Sequence, residues 1–177
     1  GKTEYTSELV KTITFEDQIN IPAGAPNWDV SAARDGSIML WLTKAEMSGG
    51  TQMYHVHIGG TGKIIAWSGN RLFSNYSNCT EINNLEYLDT SFVTDMHAMF
   101  LSNNLLKNVD MSSFDTSKVT DMNHMFYGCR NLNDLDISNF QTQKVKDMSY
   151  MFYGCSGVAN MDLRFMNTSR VENMSNM

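Results

Sequence analysis

Cysteine is scarce and odd in number. Cys79, Cys129 and Cys155 are the only three, which excludes a disulfide framework, and no Cys-x-x-Cys or zinc-ligand spacing occurs. Basic charge is also short. The 13 Lys and Arg residues face 19 Asp and Glu, for a net charge of -6, and no basic stripe is present to neutralise phosphates. That balance argues against nucleic acid as a partner. No apolar run approaches the roughly 20 residues that a membrane span requires, so no membrane insertion is expected within this chain. No signal peptide is visible, since the chain opens on polar Gly1-Lys2-Thr3-Glu4. A secreted origin stays open, because such a signal is removed from a mature protein. Proline occurs only at Pro22 and Pro26. What is abundant is Asn, Ser, Met and Gly, and the 42% of hydrophobic residues argues for a packed core and against global disorder.

The second half of the chain carries one pattern four times. It reads Val93-Thr94-Asp95-Met96-His97-Ala98-Met99-Phe100, Val119-Thr120-Asp121-Met122-Asn123-His124-Met125-Phe126, Val145-Lys146-Asp147-Met148-Ser149-Tyr150-Met151-Phe152 and Val171-Glu172-Asn173-Met174-Ser175-Asn176-Met177. Each copy starts 26 residues after the last, without insertion. A constant period of this size predicts a solenoid whose units stack on their neighbours. Within a unit, Leu132-x-x-Leu135-x-Ile137-x-x-Phe140 and its copies from Leu106 and Val158 predict a strand with inward residues at alternate positions. The Val-Thr-Asp-Met-x-x-Met-Phe block places apolar residues at i, i+3, i+6 and i+7, which predicts a short helix laid on the strand layer. Asp95, Asp121, Asp147 and Asn173 then cap the helix start. Thr90, Thr116, Thr142 and Thr168 are read as turn residues that bond the backbone.

Upstream, Val10 to Phe15 alternates as a strand, and Ile21 to Pro26 is a turn or linker. Ser37–Leu42, Met53–Ile58 and Lys63–Trp67 predict a small antiparallel β meander that caps the repeat stack. The expected divisions are a leader strand and linker at 1–26, a β-rich cap at 27–72 and the repeats at 73–177, with the last repeat truncated. The expected fold class is an α/β solenoid: a right-handed, leucine-rich-repeat-like stack with one strand and one short helix per repeat, behind the β cap.

The run Phe114-Asp115-Thr116-Ser117-x-Val119-Thr120-Asp121-Met122 is followed by Met125-Phe126-Tyr127-Gly128-Cys129 and by Leu132-x-x-Leu135-Asp136-Ile137-Ser138-Asn139-Phe140. It resembles the BspA-like leucine-rich repeats of bacterial surface proteins, found also in mycoplasma surface lipoproteins. Trp28-Asp29-Val30-Ser31, Asp35 to Met39 and Tyr54 to Gly60 resemble the segment that often precedes such repeats, so the likeness covers roughly 27–177. It implies a secreted or cell-anchored protein with adhesive or host-interacting roles, and it offers no catalytic residues. Met166 in place of Phe and Asn173 in place of Asp depart from the pattern.

Several side-chain groups invite a functional reading. The methionine ladders 96/122/148/174 and 99/125/151/177 have thioethers that suit Cu(I), but their spacing is that of a buried face. His55 and His57 share one strand face and lack a third ligand; packing is the reading preferred. His97 and His124 are out of register, so no joint role is expected. Gly59-Gly60-Thr61-Gly62-Lys63-Ile64 fails the phosphate-loop pattern and reads as a turn. Cys129 and Cys155, one period apart, are within a disulfide's reach at a rung spacing of about 4.8 Å, yet read better as stacked buried thiols.

The candidate binding face is the outward ladder Asp110, Asp136 and Asp162. It is flanked by Asn108, Asp134 and Asn160 on one side and by Ser112, Ser138 and Arg164 on the other. Stacked like charges repel, so neighbouring hydroxyls, calcium or a cationic partner should offset them. The sequence therefore predicts a non-enzymatic module without cofactor, extracellular or on the cell surface. It would present this face to a protein or glycan of a host or neighbouring cell. The alternative is an architectural stalk with binding done elsewhere. Exposed rungs at the end of the stack predict end-to-end self-association.

Overall fold

A computed structural model describes residues 5–177. Its regular strands are β1 (Val10–Glu16), β2 (Asn27–Asp29), β3 (Ile38–Ser48), β4 (Thr51–Gly60), β5 (Ile64–Ile65), β6 (Glu81–Asn83), β7 (Leu88–Asp89) and β8 (Asn108–Val109). Six of them form one mixed sheet in the order β2-β3-β4-β1-β6-β8. The β2, β3 and β4 strands are antiparallel, with Gly49 and Gly50 supplying the positive φ that a tight β3–β4 turn demands. From β4 onward every neighbour is parallel: β4 with β1, β1 with β6, and β6 with β8. The strand expected in the leader thus lies in the middle of the sheet, between the hairpin and the first repeat. The small strand β5 pairs with β7 instead of continuing the meander.

The expected α/β solenoid, with one strand and one short helix per repeat, is not formed. Among the described residues there is no α-helix, and the six-stranded mixed sheet holds most of the regular structure. The Val-x-Asp-Met blocks are runs of turns. Ala98, His124, Tyr150 and Asn176 occupy one position of the repeat, and all have φ between 52° and 58°. A left-handed residue reverses the sense of the backbone and ends a right-handed helix before it can propagate. The amide donors then divide. Met99 N–H and Leu101 N–H bond locally to Met96 O and Ala98 O, whereas Met96, Ala98, Phe100 and Ser102 donate to Asp121, Asn123, Met125 and Tyr127 in the next copy. Met122, His124, Phe126 and Gly128 repeat this toward Asp147, Ser149, Met151 and Tyr153. A helix would have used those donors internally.

The predicted strand halves are also shortened. Regular pairing covers only Asn108–Val109, and Asn108 meets Asp134 through one isolated bridge. Asp110 ends the strand by accepting a bond from Ser112 N–H at 2.9 Å, a side-chain turn that competes with the ladder.

The core runs the length of the molecule. Met96, Met99, Met122, Met125, Met148 and Met151 are fully buried, so those members of the two ladders are packing residues. Phe73, Phe100, Phe126 and Phe152 stack ring on ring at centroid distances of 5.3, 5.3 and 5.9 Å. All three cysteines are free, and Cys129 Sγ and Cys155 Sγ make the same bond one repeat apart, to Phe100 O and Phe126 O, each at 3.1 Å. Burial pushes the Cys129 thiol up to about 12 and the Cys155 thiol to about 11. Thr90, Thr116 and Thr142 are buried bridges between copies, and not merely turn residues. The hydroxyl of Thr116 accepts from Gln141 N–H at 2.7 Å and lies 3.4 Å from Gln141 O, and Thr90 and Thr142 do the same at Asp115 and Asn167.

Candidate functional site

Strand pairing lines up side chains in rows across the sheet. Thr43 pairs with His55, His55 with Thr12, Thr12 with Glu81, Glu81 with Asn108, and Asn108 with Asp134. The predicted track of Asn108 and Asp134 is therefore continuous with the His55 strand, a join that no local pattern announces. A second row runs from Trp41 through His57 and Thr14 to Asn83. His57 stacks on Trp41 with centroids 5.3 Å apart, and its ring nitrogens are both engaged, Nδ1 with Glu16 at 2.7 Å and Nε2 with Thr43 at 2.9 Å. His55 Nδ1 lies 2.7 Å from Thr12 Oγ1. The two histidines do share a face, and both nitrogens of His57 and Nδ1 of His55 are engaged by strand neighbours.

The Asp ladder has an offset for its charge within each turn. Asp110, Asp136 and Asp162 each accept the amide of the residue two ahead: Ser112 at 2.9 Å, Ser138 at 2.9 Å and Arg164 at 3.0 Å. Bonds from the side chain and amide of Ser112 to Asp110, from the amide and side chain of Ser138 to Asp136, and from the side chain and amide of Arg164 to Asp162 hold all three carboxyls below the usual carboxylate range. The Arg164 guanidinium adds contacts to Asp162, the shortest at 2.6 Å, on open surface. Asn160 is exposed beside that pair. A cleft of about 110 Å³ lies between Asp110, Ser112, Asp136 and Ser138, next to Asn139, whose amide ties back to Met111 O at 3.0 Å. Among the described residues, no group of three His, Cys, Asp or Glu side chains is placed to hold a metal ion. Asp95, Asp121, Asp147 and Asn173, expected as helix caps, likewise accept the amides of His97, Asn123, Ser149 and Ser175 in turns.

A second cluster was not anticipated. His97 and His124 differ by one place in the repeat, yet their rings come within 5.9 Å. Asn123 closes the gap, because its Oδ1 lies 2.7 Å from His97 Nδ1 and 2.8 Å from His124 Nδ1 and accepts from both. His124 and Tyr150, one period apart at the left-handed position, stack at 4.8 Å and 17°. Tyr127 and Tyr153, from the two Met-Phe-Tyr-Gly-Cys copies, stack at 5.2 Å and 13°. Tyr150 meets Tyr153 edge to face at 5.7 Å. Tyr153 is about half exposed at 49%, and Tyr127, Tyr150 and both histidines are partly exposed. Burial, and then the neighbouring His97, lower the His124 pKa below the usual histidine value. The signal was present in the period: Tyr127 and Tyr153 recur 26 residues apart, as do His124 and Tyr150.

The arrangement offers shape and amphipathic rings. Tyrosines held by neighbours lose little side-chain entropy when they meet a partner, and each carries a hydroxyl for specificity.

The family described as "Mycoplasma protein of unknown function, DUF285" matches residues 69–177, more than half of the chain. No curated protein and no solved structure matches it. The chain belongs to this DUF285 family, and the match covers all four repeat copies. Among the described residues no helix is long and apolar enough to cross a membrane.

Proposed function

We propose that this protein is a non-enzymatic binding module that works outside the cell. Its contact patch is the stacked cluster of His97, Asn123, His124, Tyr127, Tyr150 and Tyr153, and its partner is a protein or glycan of a host or neighbouring cell. The observation that carries the reading is the paired stacking of His124 on Tyr150 and Tyr127 on Tyr153 at a partly exposed surface. Aromatic side chains with polar tips dominate protein interfaces and supply their strongest contacts. The resemblance of the repeats to BspA-like surface proteins supports the location. The row of Asn108, Asp134 and their neighbours is a second face with which the same partner could engage, although its aspartates already serve their own turns.

The test is a screen of the purified protein against extracellular-matrix proteins and a glycan array. A Tyr150→Ala/Tyr153→Ala variant and an Asp136→Asn variant run in parallel. The expected result is a partner whose binding drops at least roughly tenfold in the tyrosine variant, as for paired interface anchors. Loss in the Asp136→Asn variant alone would move the site to the sheet face. A complete absence of partners would favour the stalk, a reading that the continuous hydrogen bonding between copies also supports.

A further inference from the structure

A different site involves none of the stacked His and Tyr residues of that patch. Three segments far apart in sequence converge on one cavity of about 240 Å³: the 3₁₀ turn Ser7–Leu9 with Tyr5 before it, the sheet face carrying Trp28 and Tyr54, and Tyr76 of the first repeat. Four of its walls are aromatic. Tyr5 stands perpendicular to both of its neighbours, at 77° to Trp28 with centroids 5.7 Å apart and at 88° to Tyr54 with centroids 5.1 Å apart. Tyr5 thus joins Trp28 and Tyr54 as three aromatic sides of a box. Leu40, Leu42 and Val56 contribute its apolar lining.

We propose that this aromatic box binds a quaternary ammonium group. Among the described residues, no charged side chain lines the cavity. The single charged residue within the flanking turn is Glu8, exposed between the lining residues Ser7 and Leu9, and the chain as a whole carries -6. Rings present negative faces, and a cation without N–H donors loses little on leaving water, so a trimethylammonium group gains from several faces at once. An ordinary lysine ammonium would have to give up hydrogen bonds that these walls replace only through scattered hydroxyls. Size points the same way. Pockets for drug-sized molecules begin at about 300 Å³, so this one fits a headgroup and not an extended ligand. Trp28 is 43% exposed and Tyr5 37%, which leaves the aromatic rim accessible from solvent. The same chemistry is carried by free choline or phosphocholine and by the headgroup of a phosphatidylcholine surface.

The experiment titrates the full chain with tetramethylammonium, choline and phosphocholine by calorimetry. The comparison ligand is 3,3-dimethylbutan-1-ol, the uncharged isostere of choline. The site predicts saturable choline binding, with the neutral isostere weaker by roughly tenfold or more. Trp28→Leu lies in the edge strand β2 and should keep the circular dichroism of the parent while losing choline binding; Trp67→Leu, at an exposed tryptophan outside the cavity, should leave it unchanged. Flotation with phosphatidylcholine vesicles against phosphatidylglycerol vesicles then identifies the source. Capture by phosphatidylcholine alone assigns a membrane headgroup, and its absence alongside choline binding assigns a soluble ligand. Equal affinity for the neutral isostere would reduce the box to an apolar pocket and overturn the proposal. Absence of choline binding, or its persistence in Trp28→Leu, would overturn it as well.

Discussion

At the residue scale, polar side chains repeat because each copy must satisfy the backbone of the next. Thr116 is fully buried, and its hydroxyl accepts the Gln141 amide at 2.7 Å. Threonine and valine have nearly the same shape, so Thr116→Val removes the bond with little change in packing. The Gln141 N–H would then lose its partner at the buried Thr116, at a cost of about 1–3 kcal/mol. Urea denaturation should show that loss as a lower midpoint with an unchanged slope. An unchanged midpoint would mean that water or a shifted backbone replaces the hydroxyl. The recurrence of Thr90, Thr116 and Thr142 was plain in the sequence, and so was a bond to backbone. That the bond leaves the repeat was not, because spacing says which residues recur and not which copy they serve. The same limit hid the histidine cluster. His97 and His124 miss each other by one place in the repeat, and only the side chain of Asn123 brings them together.

At the element scale, the left-handed positions decide what the period builds. The Val-x-Asp-Met block has an apolar spacing compatible with a helix, and in it Ala98, His124 and Tyr150 are not residues that announce positive φ. Their backbone is held by bonds to the neighbouring copy, a tertiary cause that local pattern does not contain. A second left-handed column is partly legible: Ser102, Gly128 and Gly154 are one period apart, with φ of 61°, 74° and 76°. Glycine adopts this conformation without the Cβ penalty, and serine does not. Ser102→Gly should therefore stabilise the protein by up to about 1 kcal/mol, and Gly128→Ala should destabilise it by roughly 1 kcal/mol or more. A Cβ on Gly128 would meet Ser102 atoms only at 3.7 Å or beyond, so the cost is conformational and not steric. Thermal unfolding of the two variants should move in opposite directions. Movement in the same direction would show that the column is governed by packing.

At the scale of the whole molecule, two features set behaviour. The first is the insertion of β1 between β4 and β6, which binds the hairpin to the repeats through parallel pairing. The alternation of Val10 to Phe15 announced a strand, but parallel partners distant in sequence leave no turn signal to read. The second is the use of aspartates as turn acceptors throughout the chain. Asp29, Asp35, Asp89, Asp110, Asp115, Asp136, Asp147 and Asp162 all have carboxyls held below the ordinary value. For Asp29, Asp35 and Asp110 the largest cause is a bond from the serine two residues ahead. A lowered carboxylate pKa means that the unfolded chain binds protons first as pH falls. Its stabilisation is present above the unfolded value of about 3.9 and is lost as pH drops through the folded values. His124, with its pKa lowered chiefly by burial, follows the same sign at higher pH. Its neutral form is favoured on folding, so its contribution is whole above about 6.5 and shrinks below that. Stability should thus decline in two stages on acidification, shallowly below neutrality and steeply below about pH 4. Denaturation midpoints measured at intervals from pH 7.5 to pH 3 would resolve both. His124→Asn should flatten the shallow stage and leave the steep one, because the aspartates are spread along the molecule and the histidine acts at one surface. A steep stage confined to one local variant such as Asp147→Asn would instead place acid sensitivity in a single turn.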